Sequence, residues 1–295
     1  MKRYGTLQQK ESRFGFFLAL PSILFFLGII VFPVAFAAYL SLNYADTFHL
    51  ELSFVGLDNY LKALFNDQFF AQFFYQGLVY GVGSVILQLG LGIGIALVLN
   101  EEFKGRSLVR GLSLLPYVIP FVIGILVFRW LLEPVYGFVN YLIIFIGGKP
   151  VAWLGKDYIM FTLILISVWI FTPFVTVSVL ARLQTIDQSL YDSAKVDGAG
   201  KLMRFRHVTL PALREVIFVV VILRTLWMFT KFDVPYLLAA TGGAGKYIAN
   251  LPVYAFETTF GTLNAGYGAA ICMILIFILA IVVTVSQKIY EVLTK

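Results

Sequence analysis

LYDSAKVDGAGKLMRFRHVTLP, Leu190–Pro211, is a polar and basic island set between two long apolar runs. Leu190, Ala194 and Asp197 fall near one helical face at i, i+4 and i+7. Gly198 and Gly200 end that helix, because glycine takes up the left-handed backbone that a sharp turn needs. Leu202, Phe205 and Thr209 then line one face of a second short helix, and Pro211 presets the start of the long helix that follows. Ser193, Ala194, Gly198 and Ala199 leave a low surface onto which another protein can pack closely. Most loops between apolar runs are only connectors. This one is long, structured and punctuated by glycine, so it reads as a docking element.

The chain around the island has the composition of a membrane protein. Of its 295 residues, 60% are hydrophobic and 13% charged, and the mean hydropathy is +0.89. A soluble domain carries about 25% charged residues. Spans are expected at about 16–42, 73–99, 111–132, 158–181, 215–238 and 266–286, with the island at 182–213 between the fourth and fifth. The first run follows a basic start but is far longer than a signal-peptide core of roughly 7–15 residues, so it is a span. Pro116 and Pro120 are expected to kink the third. The fold class is therefore all-α integral membrane, with residues 1–295 forming a single transmembrane domain.

An even number of spans puts both termini on one side. That side would hold fifteen lysines and arginines, five of them in the island, against Lys62, Lys149, Lys156 and Lys246 opposite. The positive-inside rule then places both termini and the island in the cytoplasm. The net charge of +6 is explained by basic loops facing anionic lipid rather than by nucleic acid. Cys272, the single cysteine, lies in an apolar run and forms no intrachain disulfide.

Charges inside a bilayer are costly, so Arg224, Lys231 and Asp233 in the fifth span point to a polar patch on a solute pathway. The alternative for Arg129 and Lys231, which lie near span ends, is that they snorkel to the interface. Sugars bind by stacking on aromatics while charged groups and amides bond their hydroxyls. Tyr117, Trp169, Trp227 and Tyr236 are the candidate walls, although most aromatics in a chain this rich in phenylalanine face lipid or pack between helices.

The island resembles the EAA loop of binding-protein-dependent ABC importer permeases, E-A-A-x-x-D-G-A followed by a Phe and a closing L-P. The matching residues are Asp192, Ser193, Ala194, Asp197, Gly198, Ala199, Phe205, Leu210 and Pro211, with Asp192 in place of the usual Glu and Ser193 in place of an Ala. SFVGLDNYLKALFND, residues 53–67, and FDVPYLLAATGG, residues 232–243, are similar to segments of carbohydrate-importer permeases of the maltose and glycerol-phosphate type, the first favouring the F-type member of the pair. Ala244 stands where that family often has Pro. The resemblance implies a six-span permease subunit in a bacterial or archaeal cell (inner) membrane, importing a sugar or sugar derivative. It also implies the partners: a second homologous permease subunit, two ATPase subunits that bind ATP and Mg, an extracytoplasmic solute-binding protein and membrane lipid. This chain itself would bind no cofactor. The island would be gripped by an ATPase, with Asp192 pairing a basic group there and Gly198 permitting the turn.

Enzyme readings fail on the residues. His49 and His207 fall on opposite sides of the expected topology, no metal-binding motif occurs, and Asp192 and Asp197 are five apart, a poor spacing for paired carboxylates. GGAGK at 242–246 lacks both the first Gly and the final Ser/Thr of a P-loop, since Ala240 and Tyr247 stand there. A self-sufficient secondary transporter or channel would also have six spans and a polar patch, but would not need the island. An importer of a non-sugar solute such as glycerol phosphate is the other alternative.

Overall fold

A computed structural model describes residues 2–48, 52–239 and 244–294, and it is helical almost throughout. The helices are α1 (Lys2–Phe26), α2 (Phe32–Ser41), α3 (Asp58–Leu61), α4 (Gln68–Asn100), α5 (Arg106–Val118), α6 (Phe121–Leu131) and α7 (Phe138–Phe145), then α8 (Ile159–Leu183), α9 (Gln188–Val196), α10 (Lys201–Arg204), α11 (Leu210–Phe229), α12 (Asp233–Ala239), α13 (Leu251–Phe256) and α14 (Ala265–Thr294). Wide π-helical turns join α1 to α2 at Leu27–Val31 and α10 to α11 at Phe205–Thr209. Among the described residues, four stretches are long and apolar enough to cross a membrane: Phe14–Ser41, Gln68–Asn100, Ile159–Leu183 and Ala265–Val292. The pair α5 and α6 makes a fifth if it counts as one span.

Two expected spans are broken, each at a proline. The third bends by 94° between α5 and α6. Pro116 and Pro120 each remove a helical donor, and Ile119 is driven to extended backbone (φ −67, ψ 130) because the residue before proline avoids the helical region. The expected kink is thus a corner. The fifth expected span ends at Phe229 instead of 238. In a continuous helix Pro235 would have to donate to the Lys231 carbonyl, and it has no N–H; Asn250 Nδ2 takes up that carbonyl at 2.7 Å. α11 also carries Arg214, Glu215 and Arg224, which keeps it out of the purely apolar set.

The described chain falls into two compact units, residues 1–67 with 255–276 and residues 68–254 with 277–295. The first unit departs from the all-α expectation. It holds an antiparallel hairpin, β1 (Asn43–Ala45) and β2 (Leu52–Phe54), with Tyr44 opposite Ser53. Buried Asn59 organises it by donating to the carbonyls of Ser41 and Asn43, both at 3.0 Å. Thr47 Oγ1 donates to the Thr259 carbonyl at 2.6 Å, and Tyr267 donates to Asp67.

The second unit is built on α4 against α8, with α11 packed on both. Lipid tails supply no hydrophobic drive between helices, so close packing of small residues has to hold them. α4 buries Gly77, Gly81, Ser84, Gly92 and Ala96 on that side. A β-carbon on Gly92 would come within 2.6 Å of Val175, and one on Gly81 within 2.7 Å of Phe229.

Candidate functional site: an exposed helix–turn–helix and a buried polar cluster

The island forms a helix–turn–helix whose ends are set by local chemistry. Asp187 caps α9, its carboxylate accepting from Ser189 N at 2.9 Å. That bond holds the Asp187 carboxyl below its ordinary value. α9 closes with Ala199 N donating to the Ala194 carbonyl at 2.9 Å and Gly198 N to Lys195 at 3.0 Å. Gly198 has φ +79, the left-handed residue this closure requires. Gly200 does not share that role. Its φ of −65 and ψ of 171 are ordinary extended backbone, and it serves only as the N-cap of α10.

The second helix of the island is not a separate short element. Arg204, Phe205, Thr209 and Leu210 all have right-handed helical backbone, so helical chain runs without interruption from Lys201 to Phe229. Leu210 N reaches back five residues to the Phe205 carbonyl, and this wide turn accommodates Pro211, which has no N–H to give.

Asp192, Ser193, Asp197 and Gly198 are exposed, and Ala194 and Ala199 half-buried, so the small-residue surface is open. Asp192 is already paired, with Lys195 Nζ at 2.8 Å and Gln188 Nε2 at 3.4 Å. The Lys195 bond, chiefly, draws its carboxyl below the usual range. Leu202, Phe205 and Thr209 line one side of a cavity of about 600 Å³ whose other walls include Leu97, Leu183 and Tyr191.

The polar residues of the fifth expected span gather round Phe171. Arg224 is 1% exposed, and its Nε donates to Gln88 Oε1 at 2.7 Å. Its guanidinium lies 4.9 Å from the centre of the Phe171 ring and 5.6 Å from that of Trp227. Lys231 Nζ lies 4.6 Å from the same Phe171 ring, 5.3 Å from Phe121 and 3.0 Å from Asp233 Oδ2. Aromatic faces attract cations, so one ring serves two charges. Tyr236 stacks on Phe232 at 4.7 Å, and Trp227 meets Phe174 edge-on at 5.0 Å. Trp169 meets Phe128 edge-on and lines an apolar cavity of about 330 Å³ with Ser113, Pro116 and Thr172. Tyr117 is half exposed on α5.

Gln88 was not among the expected site residues, nor were its neighbours. Tyr80, Ser84 and Gln88 follow one another at i, i+4 and i+8 on α4, all at 0–1% exposure. Tyr80 and Ser167 hydroxyls meet at 2.8 Å, and Gln88 Nε2 donates to the Ser167 carbonyl at 3.3 Å. That stripe was visible as polar residues at helical spacing inside an apolar run. The expectations on residues 240–243 and on His49 lie outside the described residues.

The family described as "Binding-protein-dependent transport system inner membrane component" matches residues 88–292. Among curated proteins, the trehalose/maltose transport system permease protein MalF of Thermococcus litoralis is 36% identical over 282 residues, covering 95% of this chain and 94% of its own. The sulfoquinovosyl glycerol transport system permease protein SmoG of Agrobacterium fabrum is 34% identical, covering 90% and 86%. Among solved structures, a chain of a bacterial ABC transporter involved in the import of the acidic polysaccharide alginate aligns over 100% of both chains with a TM-score of 0.86 at 22% identity.

Proposed function

Because the chain belongs to the family of binding-protein-dependent transport system inner membrane components, we propose that it forms half of the translocation pathway of an ABC importer for a sugar or sugar derivative. It crosses the membrane six times. α5 with α6 is the third crossing and α11 with α12 the fifth. Arg214 and Glu215 lie in the first turns of α11, at the membrane edge, and Arg224 is satisfied inside by Gln88, so its charges do not bar α11 from spanning. Both termini and the coupling loop face the cytoplasm.

The observation that carries the reading is the exposed helix–turn–helix hinged at left-handed Gly198 and continuous with α11. A second permease pairs with this one, two ATPases grip the loops of the pair, and ATP hydrolysis on those ATPases moves them. Asp192, Ser193, Ala194, Asp197, Gly198 and Ala199 form the gripped surface. Phe205 and Pro211 shape the passage into α11. An extracytoplasmic binding protein delivers the solute.

A sugar is supported by the names of the relatives and by aromatics set beside charges. Lys231 and Asp233, each with about a fifth to a quarter of its side chain exposed at the break in the fifth span, meet the solute together with Tyr236 and Trp227. Trp169 and Tyr117 widen the path, and Arg224 fixes the helix that carries the pair.

Affinity purification of the tagged chain from its native membrane, with mass spectrometry of what accompanies it, tests this. A second permease and an ATPase in fixed ratio are expected. A chain that purifies alone in gentle detergent with an ATP analogue present would instead identify a self-sufficient transporter.

A further inference from the structure

α9 is held to the rest of its unit at few points. The turn at Gly198 has open space around it, with nothing within 4 Å of where a β-carbon would sit. On the inner side, the cavity of about 600 Å³ separates α9 from Leu97 at the end of α4 and Leu183 at the end of α8. One side chain of α9 reaches across. Tyr191 Oη lies 3.0 Å from Thr209 Oγ1, and either hydroxyl can donate. Thr209 is 5% exposed and sits in the wide turn that leads into α11. From the other side, Arg182 Nε donates to the Ala212 carbonyl at 3.0 Å, tying the end of α8 to the first turn of α11.

We propose that the Tyr191–Thr209 hydrogen bond is the strut by which displacement of α9 enters α11, making both residues positioning residues for coupling. This rests on the importer reading above. Without the strut, motion of α9 is taken up by the Gly198 hinge and by collapse into the cavity. With it, α9 and the base of α11 move as one body. Covalent continuity through Gly198 alone is a slack connection, because Gly198 has no neighbour within 4 Å of its β-carbon position to brace it.

The test uses the complex as it co-purifies, with the ATPase trapped by ADP and vanadate, and follows amide hydrogen exchange of α9 and of the first two turns of α11. In the wild type, trapping should alter exchange in both. In Tyr191→Phe and in Thr209→Val, the response of α11 should fall about fivefold, the ratio that corresponds to ~1 kcal/mol for one hydrogen bond, while the response of α9 persists. Thr209→Ser restores the hydroxyl and should behave as wild type. The double variant should be no worse than either single one, since both remove the same bond.

A full α11 response in Tyr191→Phe and Thr209→Val, or additive losses in the double variant, would overturn the strut. A variant complex that loses its ATPase would overturn it too, because the bond would then serve docking rather than transmission. If the wild-type chain carries no ATPase at all, the importer reading itself fails, an outcome distinct from these.

Discussion

Gln88 and Arg224 stand 136 positions apart and meet at 2.7 Å, the amide oxygen of α4 accepting from the guanidinium of α11. Both are essentially inaccessible, at 0% and 1% exposure. Gln88 also donates to the Ser167 carbonyl, so one side chain joins α4, α8 and α11. Gln88→Leu strands a buried charge, which costs more than the bond itself is worth. It should destabilise the detergent-solubilised protein by about 2–3 kcal/mol, with a clear fall in melting temperature. The double variant Gln88→Leu, Arg224→Leu should recover most of that loss. A double variant as unstable as the single one would show that the guanidinium is held by other partners.

Glycines two residues apart in the exposed helix–turn–helix should respond differently to the same change. Gly198→Ala forces a β-carbon onto a residue at φ +79, at a cost of about 1–2 kcal/mol. Nothing surrounds the added carbon, so the whole cost is in the backbone. Gly200→Ala, at φ −65 and also in open space, should be tolerated. Transport by the two variants, normalised to the amount of assembled complex, checks this. Equal loss in both would point to a surface contact rather than the turn.

The close approach of α4 to α8 gives a second contrast. Gly92→Ala sets a carbon 2.6 Å from the Val175 side chain and must part the helices, costing about 1–3 kcal/mol by overpacking. Gly94→Ala, two residues on and facing open space, should not lower the melting temperature and should raise it slightly, because alanine favours a helix interior over glycine. A Gly92→Ala protein as stable as the wild type would mean that α8 yields at Val175 without penalty.

The cap of α9 should titrate. The Asp187 carboxyl is held below its ordinary value by the Ser189 bond, so the charged form is favoured in the folded loop. Its stabilising contribution is complete above the unfolded value, near pH 4, and is lost as pH falls through the lower folded value. Amide protection of α9, corrected for intrinsic rates, should therefore drop below about pH 4. Asp187→Asn keeps an acceptor for Ser189 and should abolish that step while retaining the helix. A step that survives in Asp187→Asn would belong to Asp192, whose carboxyl is lowered by Lys195 and titrates in the same sense.

The loop was legible because its information is local. Small residues, glycines and a closing proline lie within about two dozen positions, and the boundary with apolar sequence is sharp. The difference between Gly198 and Gly200 was not legible, since the same residue type suits both a left-handed turn and an ordinary cap. Pro120 was legible as a kink, though not the depth of the break, and Pro235 was passed over inside the expected fifth span. Whether a carbonyl freed by Pro235 stays in the helix depends on Asn250, which only the tertiary fold brings to it. The hairpin at β1 and β2 escaped notice for a similar reason. Its three-residue strands carry little signal of their own, and the side chain that organises them comes from Asn59.

The wide turn at Phe205–Thr209 has a consequence for how the two ends of its helix are indexed. One surplus residue per turn rotates everything beyond it by about 100° relative to a regular α-helix. The azimuth of Arg224 toward Gln88 is thus phased to the helix–turn–helix by a single amino acid. Deleting one residue there would turn the two ends against each other, and with α11 packed on α4 and α8 it is the loop that would swing. A helix of the same length and composition, wound regularly, would carry the same charges on the wrong meridian.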